Sequence, residues 1–219
     1  MKCLFSAVLS LFLINALGQV QWGISAGTTR SIAKYENSYS GLIKTNAGSS
    51  WALEVSNHLP LAKKLTLVNG LSYYNKKFNY STPGIADAYV DETARCSYLQ
   101  LKTAIHFDVI HKRSFLLSAG AGFFGAVGAG GKYNRFESFF TGSRTSAGKV
   151  QYGNTAADNF KPFDAGVSLQ LIARYKNFFI PVSADISCIP NLPPDGSARR
   201  KWQSWYAGMG YSFPLQSKK

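Results

Sequence analysis

Acidic residues are scarce. The 219-residue chain has 11 Asp and Glu against 24 Lys and Arg, a formal charge of +13, and charged residues of either sign make up only 16% of it. So little charge, beside 14% aromatics, excludes a disordered solvated chain. Three cysteines are too few for a disulfide-built scaffold. No long stretch repeats at period 3.6, which excludes a helical bundle or coiled coil. Past residue 19 no run approaches 18 consecutive apolar residues, so no helix is expected to cross a membrane there. What the chain does have is Tyr, Phe, Ser, Thr and 20 Gly, the composition of an all-β protein.

The first residues read as an address. Met1-Lys2 is a short basic start, residues 3–16 are almost wholly apolar, and Ala16-Leu17-Gly18 places small residues where a signal peptidase reads. A signal peptide over residues 1–18 is expected, with export of the remainder. Cys3 leaves with it. Of the remaining thiols, Cys96 falls on the inward face of its strand and Cys188 on the outward face of its own, so both are expected to stay unpaired.

Period-2 alternation recurs along the rest of the chain. In Phe163–Tyr175, the residues Phe163, Ala165, Val167, Leu169, Leu171, Ala173 and Tyr175 point one way, while Asp164, Gly166, Ser168, Gln170, Ile172 and Arg174 point the other. Leu99, Leu101, Thr103, Ile105 and Phe107 form a similar face against Gln100, Lys102, Ala104, His106 and Asp108. Six further segments, 20–31, 49–59, 65–78, 114–127, 179–189 and 202–213, bring the expected strands to eight. Their length suits tilted strands that cross a membrane in about 9 to 11 residues. The connections 60–64, 109–113 and 176–178 are tight, whereas 32–48, 79–94, 128–161 and 190–201 are long. Alternation of short and long connections is the plan of an outer-membrane barrel, with periplasmic turns and extracellular loops. The expectation is an eight-stranded antiparallel up-and-down transmembrane β-barrel over residues 19–213, followed by a short basic tail at 214–219.

Charge orients the wall. Glu54, Lys102, Asp164, Arg174 and Asp185, together with His106, lie on the less apolar face and are expected to form a polar network in the lumen. The opposite faces carry no charge at mid-strand, as lipid requires. Trp22, Trp51, Phe115, Phe163, Tyr175, Phe179, Trp205 and Phe213 cluster near strand ends, as an interfacial girdle would. Eight strands close too narrowly for a water channel, so side chains should fill the interior.

Tyr98-Leu99-Gln100-Leu101, Phe163-Asp164-Ala165-Gly166-Val167 and the closing Tyr206-Ala207-Gly208-Met209-Gly210-Tyr211-Ser212-Phe213 resemble segments of the eight-stranded outer-membrane barrel family that includes the porin-T-like proteins of Gram-negative bacteria. The resemblance spans nearly the whole exported chain. It implies an outer-membrane location in the cell envelope, with relatives that include secretion-associated barrels, and no shared catalytic motif. The tail after Phe213 departs from the family's usual terminal aromatic.

Gly120-Ala121-Gly122-Phe123-Phe124-Gly125 matches a dinucleotide fingerprint, but that motif needs a helix to follow, and residues 126–131 (AVGAGG) make a poor one. Glycines that admit bulky lumen side chains are the simpler reading. His106 with Asp108 and either Ser168 or Ser183 has the composition of an acyl-transfer set; a lumen hydrogen-bond network accounts for the same residues. His58 and His111 sit near the tight turns, are expected to face solvent, and lack metal-ligand spacing. The basic excess comes without a nucleic-acid-reading motif. On loops beside a membrane it suits lipopolysaccharide phosphates or anionic headgroups. Asn79-Tyr80-Ser81 is a chance sequon in a bacterial exported protein.

The sequence therefore points to a non-enzymatic outer-membrane barrel without cofactor or metal. It is expected to act through its extracellular loops or within an envelope or secretion assembly. Partners would be lipopolysaccharide and envelope proteins, not nucleic acid. Loop contact candidates are Arg135, Phe136, Phe139, Phe140, Arg144, Arg199 and Arg200. The alternatives are a lipid-modifying enzyme built on His106 and a secreted lipocalin-like barrel whose apolar faces point inward.

Overall fold

A computed structural model of the chain describes residues 20–35, 44–82, 89–154, 158–190 and 200–214. Among these residues there are nine strands and no helix: β1 (Gln21–Tyr35), β2 (Lys44–Ala62), β3 (Leu65–Thr82), β4 (Tyr89–Lys112), β5 (Phe115–Phe139), β6 (Gly142–Lys149), β7 (Phe163–Tyr175), β8 (Phe178–Ser187) and β9 (Arg200–Pro214). The order β4-β3-β2-β1-β9-β8-β7-β5, closed by a β4–β5 pairing, makes an eight-stranded antiparallel ring. The ninth strand, β6, pairs only with the outer half of β5. The signal peptide expected at 1–18 and the tail beyond Pro214 lie outside the described residues.

The wall alternates as the sequence phasing requires. Leu53, Leu99, Leu101, Ile105, Leu169 and Leu171 face out, while Gln100, Lys102, His106, Asp164, Ser168 and Asp185 are buried inside. An apolar belt on the outside is tolerable only in lipid, and a closed ring leaves no unpaired strand edge there. This orientation overturns the lipocalin-like alternative. Phe115 to Val127 on β5 covers 13 residues; at about 3.3 Å each and a tilt of about 40°, it rises about 30 Å, the height of an apolar belt with its aromatic rims. At one rim lie Phe115, Tyr175, Phe178, Tyr211 and Phe213, and at the other Trp51, Tyr73, Phe163 and Trp205. Phe179 departs from the expected girdle. It is buried in the lumen, where Gly23 and Gly210 make room for its ring.

The three ring turns at the trimmed end are two-residue hairpins, and two of them carry a non-glycine residue at positive φ, Arg113 at 39° and Lys176 at 54°. At the other end, the strands run further than their alternation signals. β4 begins at Tyr89 and β5 continues to Phe139, so much of the expected loops 79–94 and 128–161 is strand. Beyond the bilayer both faces of a hairpin meet water, so its residues need not alternate, and backbone pairing alone extends the ladder. The β5–β6 hairpin turns at Phe140-Thr141, with Gly142 at φ +140°, a conformation that glycine adopts without strain.

Candidate functional site: the sealed lumen and the outer hairpin

The lumen is built in layers. Uppermost is an aromatic plug contributed partly by the chain after β6. Val150 and Phe160 fold back into the mouth, and Phe160 stacks on Trp202 at 6.2 Å between centroids, with Phe78 edge-on to both. Tyr152 donates its hydroxyl hydrogen toward the Ser97 and Gly130 carbonyls at 3.2 and 3.0 Å. The Arg200 guanidinium lies 4.9 Å from the Phe78 ring centre and 4.4 Å from that of Phe160. Arg200 is thus only 4% exposed, a packed component of the plug and not the open loop contact that the sequence suggests. Its long stem and weakly hydrated head suit an aromatic slot.

Below the plug, Lys76 Nζ donates to Asp164 Oδ2 at 2.5 Å and lies 5.0 to 5.6 Å from the rings of Tyr98, Phe124 and Trp202. The next layer centres on Lys102, which reaches Glu54 at 3.4 Å and Asp185 at 3.6 Å between the rings of Tyr74 and Tyr206. Gln100 and Ser168 donate to the two oxygens of Asp185 at 2.8 and 2.6 Å. His106 contacts Gln170 Oε1 through Nε2 at 3.0 Å and Ser118 through Nδ1 at 3.4 Å. Because the amide oxygen only accepts, Nε2 carries the proton. At the trimmed end Arg174 binds Gln21 and His58 Nδ1.

All six expected lumen residues therefore face inward. Glu54, Lys102 and Asp185 meet directly, and Gln170 and Ser168 link His106 to Asp185. Asp164 and Arg174 join other layers. Lys76 is paired with Asp164, and Lys102 with Glu54 and Asp185, as ions removed from water require, whereas Arg174 is held by the neutral Gln21 and His58. Lys76 escaped the sequence reading, although it shares the phase of Ser72 and Tyr74 on β3. His58 corrects an expectation: it is buried, hydrogen-bonded by Ser56 and Arg174, and not exposed at its turn. A cavity of about 10 Å³, room for about one water molecule, lies beside Lys102 and Gln170. His106 is 0% exposed and bonded to Gln170 and Ser118, not to Asp108 or Ser183. Gly120, the first glycine of the apparent fingerprint, lies against its ring: a Cβ there would sit 2.4 Å from His106 Cδ2. Cys96 is buried in the plug and Cys188 is exposed; both are free.

The loop candidates divide. Phe139 and Phe140 are exposed at the hairpin tip, Phe140 at 76%, and Arg144 is exposed on β6 opposite Glu137. Phe136 is half-buried and packs 5.5 Å from Tyr89. Arg135 is held by Glu137 at 2.6 Å and Glu92 at 3.9 Å, so it braces the hairpin. Burial pushes the Glu92 carboxyl above its ordinary range, against the pull of Arg200 and Arg135. Arg199 lies outside the described residues.

Position by position, then, the chain is an eight-stranded membrane-spanning β-barrel with a filled interior, closed by its own aromatic plug at the elaborated end. No protein-family profile and no curated protein matches it. Solved structures that resemble it include the attachment invasion locus protein Ail of Yersinia pestis (15% identity, covering 89% of this chain and 99% of that one, TM-score 0.45) and the outer membrane protein OprG of Pseudomonas aeruginosa (13%, 88% and 95%, 0.39). Another is the outer membrane protease OmpT of Escherichia coli (10%, 90% and 98%, 0.49).

Proposed function

We propose that this protein is a non-enzymatic outer-membrane barrel that engages another envelope protein through the tip of its β5–β6 hairpin. The observation that carries this reading is the pair Phe139 and Phe140, two large apolar side chains held in water beyond the bilayer on a hairpin that Arg135 braces. Exposed aromatics beside a cation are the residue types enriched where proteins meet. The porin-T-like resemblance of the wall segments gives the partner a class, a component of an envelope or secretion assembly. Burial of His106 speaks against the enzyme alternative, because a lipid substrate has no route to it.

A photo-crosslinking side chain at Phe140, in intact cells, should give a discrete adduct with an envelope protein. The adduct should disappear in a Phe139→Ser background, and the same probe at His111 on the trimmed end should give none. Failure to crosslink, together with a changed lipid A profile on overexpression that His106→Ala abolishes, would reverse the assignment.

A further inference from the structure

Strand register brings four cations into one line. Lys77 on β3 is directly opposite Arg95 on β4, Arg95 is opposite Lys132 on β5, and Lys132 is opposite Lys149 on β6. Directly opposed residues share a face, and that face is the outer one: the neighbours Lys76 and Cys96 are buried, whereas Arg95, Lys132 and Lys149 are exposed and Lys77 is half-exposed. At about 4.8 Å per strand, the row is about 14 Å long. Like charges facing each other across a ladder destabilise it. Among the described residues none of the four is in an ion pair; Glu92 and Glu137, which bind Arg135, alternate onto the opposite face of the sheet. The sheet thus holds a line of positive charge that calls for an external anion.

Its height says which anion. Four residues down the same strands lie Tyr73 and Leu99, outward-facing at the upper edge of the apolar belt, and Tyr73 packs 5.5 Å from Trp51 in the aromatic rim. Four residues at about 3.3 Å, on strands tilted by about 40°, place the row about 10 Å above that edge, level with the polar headgroups of the outer leaflet. Neutral hydrogen-bonding side chains flank it, Asn79, Thr93 and Asn134 directly above, with Thr93 donating to Asn79 at 3.0 Å. An open cleft of about 560 Å³ runs along Lys77, Arg95 and Lys132 beside Thr93 and Asn134. Phosphates bridged by sugar hydroxyls match this alternation of cations and amides, and a phosphodiester lipid with one charge does not fill it.

We propose that the outward row Lys77–Arg95–Lys132–Lys149 is a binding site for a glycolipid of the outer leaflet that carries phosphates on its sugars, the chemistry of lipopolysaccharide. The site is separate from the hairpin tip and from the lumen, so it stands whether or not the hairpin engages a protein. Its last cation is on β6, so an occupied site also fastens the hairpin to the membrane surface.

The full-length protein, folded in detergent micelles, would be titrated with bisphosphorylated lipid A, its monophosphorylated form, phosphatidylglycerol and inorganic phosphate. Bisphosphorylated lipid A should bind most tightly, the monophosphorylated form several-fold more weakly, and phosphatidylglycerol more weakly again. Inorganic phosphate at the same concentration should not compete. The quadruple variant K77Q/R95Q/K132Q/K149Q should lose tenfold or more in lipid A affinity while keeping its heat-dependent gel shift, and K63Q/K64Q at the trimmed end should lose nothing. If the quadruple variant fails to fold, K77Q/R95Q and K132Q/K149Q should each lose several-fold. Unchanged affinity in the folded variants, equal binding of phosphatidylglycerol, or full competition by inorganic phosphate would each overturn the proposal.

Discussion

Lys76 and Asp164 meet at 2.5 Å across the lumen, 88 positions apart in sequence and both sealed from solvent. Their pairing ties β3 to β7, strands that are not neighbours in the ring. Removing one partner of a buried pair leaves an uncompensated charge, at a cost of about 3–5 kcal/mol, whereas replacing both with apolar groups of similar size is often neutral. Asp164→Ala should therefore destabilise the barrel by about that amount, and K76M/D164L should recover most of the loss. Urea unfolding in lipid vesicles, followed by the boiled-against-unboiled gel shift, reads both. Equal stability for the single and double variants would show that the uncompensated charge is not what weakens the barrel.

Val167 and Leu169 flank Ser168 on β7, and the three separate the two faces within one turn of the alternation. Leu169 is 54% exposed on the outer wall, while Ser168 is buried and donates to Asp185. An Arg at mid-bilayer costs about 2–4 kcal/mol, so Val167→Arg and Leu169→Arg should block stable membrane assembly. Ser168→Ala should assemble, with a loss of about 1–2 kcal/mol from the missing hydrogen bond. Membrane fractionation of the three variants decides it; normal assembly of both Arg variants would mean that the wall is inverted.

The ring was legible because lipid imposes a strict rule on each wall residue. Where apolar and polar side chains alternate, as in Phe163–Tyr175, the sequence phase and the buried face coincide. Above the bilayer that rule lapses, which is why β6, the first six residues of β4 and the upper half of β5 read as loop. Arg200 and His58 misled for a related reason. Each is polar and near a strand end, where sequence alone favours solvent, yet each is covered from above or below by a ring, Phe160 or Phe179, supplied from far along the chain. The cationic row needs pairing register to become visible, since its members are scattered over positions 77 to 149.

The apparent dinucleotide motif contains its own control. Gly120 and Gly125 occupy the same strand, but a Cβ at Gly120 meets the His106 ring at 2.4 Å and one at Gly125 meets nothing within 4 Å. Gly120→Ala should cost about 1–3 kcal/mol through overpacking, and Gly125→Ala should be neutral to within about 0.5 kcal/mol. In the His106→Ala background, Gly120→Ala should lose most of its penalty. A similar cost for both glycine substitutions, measured by the same unfolding assay, would point to a general effect of replacing glycine in this strand and not to accommodation of the histidine.

Two seals lie in series along the lumen, the Phe160–Trp202 plug and the Lys76 and Lys102 ionic layers beneath it. Phe160→Ala removes one face of the Arg200 slot and the ring stacked on Trp202, so the chain around Val150 and Phe160 should become more open to proteolysis. The lumen should nevertheless stay closed, because Lys76, Lys102, Asp164 and Asp185 fill it as buried ion pairs beneath the plug. In planar bilayers, wild type and Phe160→Ala should both show no steady conductance. A stable channel in the variant alone would mean that the aromatic plug is the only seal, and a channel in the wild type would mean that the ionic layers rearrange enough to pass ions.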